Sequence, residues 1–193
     1  MLQSICVYCG SADGVRAEYL DGAYQMGEAL AKAGIRLVYG AGRTGLMGAV
    51  AEGALAGGGE VTGVTPAYLN TPQLIHQSLT CLEVVDTIHQ RKARMSELAG
   101  AFIALPGGYG TFEELFETLT WAQLGLHQKP IGLLNTLGYF DPLIELVQHA
   151  LREKFIYAEH RTLLLSSADP LELLDGLRQY RKPENLERWV NRE

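Results

Sequence analysis

The residues best suited to chemistry lie in Ala101-Phe-Ile-Ala-Leu105-Pro106-Gly107-Gly108-Tyr109-Gly110-Thr111-Phe112-Glu113-Glu114. The segment reads as a buried strand, an abrupt glycine turn and a helix that opens on two carboxylates. Glycine lets backbone N–H groups approach an anion closely. The first turn of a helix adds unpaired N–H donors at the positive end of its dipole. That combination suits a phosphate, and a carboxylate one turn inside the helix suits chemistry on whatever the phosphate anchors. With Phe112 as origin and about 100° per residue, Leu115, Phe116, Leu119 and Ala122 cluster as the expected core stripe. Glu114 falls nearly opposite that stripe, so core burial is not its purpose. Trp121 returns to within about 20° of Glu114. A tryptophan on that side points to a covered cleft or a partner subunit above the carboxylate.

A second group is cationic. Thr87-Ile88-His89-Gln90-Arg91-Lys92-Ala93-Arg94-Met95 opens another helix, with Thr87 and Gln90 spaced as a capping box. Ile88, Met95 and Ala99 mark its inward face, yet Arg91 and Lys92 stand where that apolar stripe should continue. Both also lie in the first turns, where cations oppose the helix dipole. An anion, from a ligand or from a carboxylate such as Glu114, would resolve the conflict; snorkelling of the long side chains is the simpler alternative. Arg94, out of phase, reads as a solvated charge.

Two further glycine-containing loops follow predicted strands. Tyr8-Cys-Gly10-Ser11-Ala-Asp13-Gly14 permits close backbone approach, and the Ser11 hydroxyl can bond a ligand; an ordinary turn with a helix cap fits as well. Gly40-Ala-Gly42-Arg43-Thr44-Gly45 matches G-x-G-x-x-G between a strand and a helix. The dinucleotide fingerprint also needs an acidic residue at the end of the next strand to hold a ribose. Here that strand ends Gly63-Val-Thr65-Pro66, so contact with a single nucleotide, through Gly42 and Arg43, is favoured over a redox dinucleotide.

These loops need a scaffold that brings strand ends together. Apolar runs at 4–8, 36–39, 61–65, 82–85, 101–105, 130–134 and 163–166 alternate with helical patterns at 16–33, 45–56, 87–99, 112–124, 141–153 and 170–180. Short continuous apolar strands between helices indicate an α/β fold, a doubly wound parallel sheet with helices on both faces, in one domain spanning 1–180. Ligands of such sheets bind beyond the carboxyl ends of the strands. Residues 181–193 read as a charged tail anchored by Trp189 and Val190.

The formal net charge of −6 lacks the basic footprint of a nucleic-acid or membrane-surface binder. No apolar run approaches the length of a membrane span, and the first residues do not resemble a signal peptide. Three cysteines fit a reducing cytoplasm. Cys6 and Cys9 form a lone C-x-x-C, read as buried strand residues rather than a metal or redox pair, and no metal or cofactor is expected.

Pro106-Gly-Gly-Tyr-Gly-Thr-Phe-Glu-Glu114 resembles the P-G-G-x-G-T-x-x-E signature of the LONELY GUY (LOG) proteins, phosphoribohydrolases that release free cytokinin from its riboside 5′-monophosphate. Gln90-Arg-Lys-Ala-Arg-Met95 is similar to the family's second motif, and Val7–Ser11, Tyr39–Gly48, Leu119–Gly125 and Lys129–Asn135 extend the likeness. The resemblance implies a Rossmann-like homodimer acting on a small nucleoside 5′-monophosphate, with Arg91 and Glu114 catalytic. It gives the phosphate to Gly108, Gly110 and Thr111, flanked in the motif by Gly107, Tyr109 and Glu113, and puts Lys92 and Thr120 at substrate-contact positions. Ala41 stands where a glycine is common, and Gln73 where plant members carry a glutamate near the base. An old lysine decarboxylase label on many relatives finds no lysine here in a recognisable pyridoxal-phosphate setting.

Overall fold

Residues 2–184 and 186 are described by a computed structural model. Seven strands, β1 (Ser4–Tyr8), β2 (Arg36–Tyr39), β3 (Val61–Pro66), β4 (Cys81–Val85), β5 (Ala101–Ala104), β6 (Ile131–Leu134) and β7 (Leu164–Ser167), form one sheet. Its order is β4-β3-β2-β1-β5-β6-β7 and every pairing is parallel. The α-helices among the described residues are α1 (Ala17–Lys32), α2 (Gly45–Ala56), α3 (Ile88–Leu98), α4 (Tyr109–Gln123), α5 (Asp141–Arg152) and α6 (Pro170–Gln179).

Side chains alternate across each strand, so the sheet feeds two cores. Ile5, Val7, Leu37, Tyr39 and Ile103 pack with Met26 and Leu30 of α1, Val50 and Ala54 of α2, and Leu173 and Leu177 of α6. Cys6, Tyr8, Val38, Val64 and Phe102 pack on the opposite face with Met95 of α3, Leu115 and Ala122 of α4, and Leu143 and Ile144 of α5. The result is the expected doubly wound α/β architecture. The chain leaves β1 towards β2 on one side and later returns to β5 on the other. A crevice therefore opens between the ends of β1 and β5, the topological switch point of the sheet.

Three features differ from the sequence expectation. Helix α4 starts at Tyr109, three residues before the predicted Phe112. Its buried face is Thr111, Leu115, Thr118 and Ala122, while Phe116 is 42% exposed. The apolar residues alone misplace the stripe by roughly 60° because two buried threonines are polar in type. One of them, Thr118, is satisfied by the Tyr8 hydroxyl at 3.0 Å. Arg94 is not a free charge: it bonds Glu83 of the edge strand β4 at 2.6 and 3.1 Å and Glu97 at 3.1 Å, pinning α3 to the sheet. In the tail, Leu186 is buried and its carbonyl is 3.3 Å from His160 Nε2, whereas Trp189 and Val190 lie outside the described residues.

Candidate active site

A cavity of about 440 Å³ occupies the crevice, within the usual range for a small-molecule site. The β1 end supplies Tyr8, Cys9, Gly10 and Ser11, the β2 end Gly40, the β5 end Pro106 and Gly107, and α4 Gly108 to Thr111 and Glu114. Backbone bonds lock the loops together. Leu105 N donates to Tyr8 O at 2.9 Å, Gly10 N to Pro106 O at 3.0 Å, and Met47 N to Gly10 O at 3.1 Å. The Thr44 hydroxyl donates to Ser11 O at 2.7 Å. Gly107 is obligatory for this closeness, since a Cβ there would sit 2.7 Å from Gly10 N.

The loop is built to present donors. Phe112 N donates to Gly108 O at 3.0 Å, starting α4, so the first N–H groups of that helix have no partner within it. Sites where a Cβ would project from Gly108 and Gly110 are open space. A 15-residue helix adds its positive dipole end at the same point. Unpaired donors at a helix N-terminus are a setting that favours anions in general.

Glu114 lies farther along the same helix, on the flank of its buried face, and its side chain is 13% exposed. Removal from water is the main reason its pKa rises to about 7, and the nearby carboxylates of Glu113 and Glu117 push the same way. Arg91 and Lys92 pull it down, as expected for cations, but burial wins. Arg91 reaches the cavity from α3. Its Nε donates to Val64 O at 3.0 Å, and one terminal nitrogen stands 3.9 Å from Glu114 Oε1, too far for a hydrogen bond. The guanidinium occupies space that only glycine at position 40 leaves free: a Cβ there would fall 1.6 Å from Arg91 Nη2. The result is a buried acid beside a fixed cation, next to an anion cradle.

A family model described as "Possible lysine decarboxylase" matches residues 47–177. The chain is 47% identical over 176 residues to the cytokinin riboside 5′-monophosphate phosphoribohydrolase LOG of Oryza sativa subsp. japonica, covering 91% of this chain and 73% of that one. A cytokinin riboside 5′-monophosphate phosphoribohydrolase of Arabidopsis thaliana is 44% identical over 176 residues, covering 91% and 83%. The chain belongs to the LOG family. Among solved structures, the molybdenum cofactor carrier protein of Chlamydomonas reinhardtii matches with a TM-score of 0.71 at 21% identity, covering 93% of this chain and 98% of that one. A molybdenum cofactor binding protein from Rippkaea orientalis gives 0.68 at 21%, covering 93% and 99%. Those two share the fold. The decarboxylase wording has no chemical counterpart here, because no lysine among the described residues lines the cavity and pyridoxal phosphate needs a lysine amine for its Schiff base.

Within this LOG chain the structure brings together Arg91, Glu114, Ser11, Gly107, Gly108, Tyr109, Gly110 and Thr111 around the cavity. The other residues singled out from the sequence lie elsewhere. Lys92 is buried, and its ammonium bonds Glu113 and, at 2.9 Å, Glu117. Burial opposes that charge, yet the two carboxylates outweigh it and hold the Lys92 pKa above the ordinary value. Thr120 lies on the outer face of α4 and donates to Phe116 O at 2.7 Å. Arg43 is exposed, with Nη1 donating to Pro72 O at 3.1 Å, and lines a second cavity of about 430 Å³. Gly42 bridges to Ile75, which ties its loop to the exposed segment carrying Gln73. Ala41 adopts φ 64°, a left-handed conformation that explains a preference for glycine at that place.

Gly40, Met47, Tyr19 and Tyr139 line the cavity without having been singled out individually. Gly40 carried a weak signal, as the first glycine of its loop. Tyr139 carried none, since only the fold brings it to the loop. Cys6 and Cys9 are buried, as read, and burial and the Glu114 charge push the Cys9 thiol well up, which keeps it unreactive. No group of three or more His, Cys, Asp or Glu that could hold a metal occurs among the described residues.

Proposed function

We propose that this chain hydrolyses the N-glycosidic bond of cytokinin riboside 5′-monophosphates and AMP, releasing the free base and ribose 5-phosphate. The observation that carries the reading is the Glu114 carboxylate, buried and with its pKa near neutral, in one cavity with the glycine loop and Arg91. The activity named for the rice and Arabidopsis relatives supports the substrate class. In this reading the phosphate occupies the Gly107–Thr111 loop and holds C1′ near Glu114, converting attack by water into a positioned, nearly unimolecular step.

The C1′–N bond breaks with its electron pair passing to the base nitrogen, and a water oxygen forms the new bond to C1′. One water proton stays on the new hydroxyl; the other reaches the base by way of Glu114. Positive charge develops at C1′ as in glycoside cleavage, so the carboxylate stabilises it while accepting the proton. A pKa near the working pH suits that exchange. Arg91 orients Glu114 and offsets its charge.

Three outer residues of α4 and the residue that caps its C-terminus support a homodimer. Tyr109, Phe116, Thr120 and Leu124 share one helical stripe, and the three apolar ones are 93%, 42% and 40% exposed. A second copy covering that stripe would bring Thr120 and Glu113 towards a shared cleft, the role that the family motif gives them. Residues 1–180 form the catalytic unit in this reading and 181–193 its tail. Three free cysteines suit a reducing, cytoplasmic setting. The test is to incubate purified protein with AMP or isopentenyladenosine monophosphate and separate the products by chromatography. Free base and ribose 5-phosphate in equal amounts are expected; both nucleotides left intact would overturn the reading.

A further inference from the structure

A trans peptide bond points its C=O and N–H in opposite directions, so whatever holds a carbonyl also aims the following N–H. The phosphate-type loop has three carbonyls whose partners decide where its donors face. Pro106 O accepts from Gly10 N, and Gly108 O accepts from Phe112 N. Those two are secured by backbone. The middle one, Gly107 O, accepts instead from the Tyr139 hydroxyl, a side chain 32 residues away that lines the same cavity.

Tyr139 is itself braced. It follows the short turn Thr136–Gly138 after β6, and the Asn135 side chain stitches that turn, accepting from Phe140 N at 2.7 Å and donating to Asp141 at 2.7 Å. Its ring meets those of Tyr19 and Phe140 edge-on, at centroid separations of 5.8 and 5.0 Å. The hydroxyl thus arrives at Gly107 O from a fixed direction. Two glycines flank the peptide it holds, and with no side chain at either Cα that plane rotates more freely than any other in the loop. Turned over, it would aim a carbonyl oxygen at the anion in place of an N–H.

We propose that Tyr139 is a positioning residue, whose hydroxyl pins the Gly107–Gly108 peptide so that the Gly108 N–H faces the substrate phosphate. The inference rests on the phosphate-loop reading above. It separates Tyr139 from Arg91 and Glu114: its effect falls on phosphate affinity, not on the chemical step. Tyr139→Phe keeps the ring packing and removes only the hydroxyl. The test measures binding of ribose 5-phosphate and of adenosine by calorimetry to the unaltered protein and to Tyr139→Phe, with a thermal melt of each. Expected is about tenfold weaker binding of ribose 5-phosphate, the usual size for one lost hydrogen bond acting through a donor. Adenosine affinity should stay as it was, the melting temperature should fall by no more than about 2–4 °C, the size for one hydrogen bond lost from the folded chain, and steady-state AMP hydrolysis should show a raised KM with kcat little changed. Equal affinity of both proteins for ribose 5-phosphate would overturn the proposal, and so would an equal loss for both ligands. If the unaltered protein binds adenosine but not ribose 5-phosphate, the phosphate-loop reading falls and this inference with it.

Discussion

Glu114 combines two properties that oppose each other: it is buried like a core residue and is needed as a charge. Its pKa rises from 4.5 to about 7 on folding because desolvation outweighs the attraction of Arg91. The pull of Arg91 exists but is the smaller effect. A carboxyl with a raised folded pKa contributes stability that is complete below about 4.5 and is lost as pH climbs through about 7. At roughly 1.4 kcal/mol per unit, the loss over that window is a few kcal/mol. Glu114→Gln has no proton to lose there. Urea unfolding at pH 5 and pH 8 should therefore show the variant gaining stability relative to the parent at the higher pH. No pH-dependent gap between the two would mean that Glu114 is not held in a desolvating site.

At the scale of elements, two glycines illustrate how the same residue serves packing or function. Gly27 of α1 abuts α2 so closely that a Cβ would lie 2.1 Å from Val50 O. Backbone must move to admit it, so Gly27→Ala should lose about 1–3 kcal/mol in denaturant unfolding. At Gly40 the obstructing atoms are the ends of the Arg91 and Met47 side chains, which can swing away. Gly40→Ala should fold nearly as well as the parent yet lose about 10²-fold in kcat/KM, because a misplacement of about 1 Å is enough to disable a positioned group. Equal damage to stability in both variants would contradict this division. The alternation of apolar strands with helices was readable because the inner strands β1, β3, β5 and β6 are buried along their whole length and leave continuous apolar runs. The α3 cap was readable too: Thr87 and Gln90 form the expected capping box. What escaped was non-local. Phe116 looks like core from its type, but the place is taken by Thr118, whose polarity is cancelled by Tyr8 from β1. Lys92 looked like a ligand contact, and only the fold reveals its two carboxylates on α4. Tyr139 reaches the loop through a turn that no local pattern announces.

At the scale of the whole molecule, the sheet order brings three loops, distant in sequence, to one crevice between β1 and β5. The outer stripe of α4 adjoins that crevice and remains uncovered in a single copy. Light scattering after size-exclusion should report about twice the 21.1 kDa chain mass at micromolar concentration, and a monomer would count against a shared cleft. Whether the acid behind the glycine loop carries out the proposed hydrolysis is read most directly from the single-turnover rate of AMP cleavage by Glu114→Gln. A folded protein that still binds ribose 5-phosphate is expected, with the rate of adenine release lowered by about 10²–10³. A folded variant that releases adenine at the parent's rate would contradict that role.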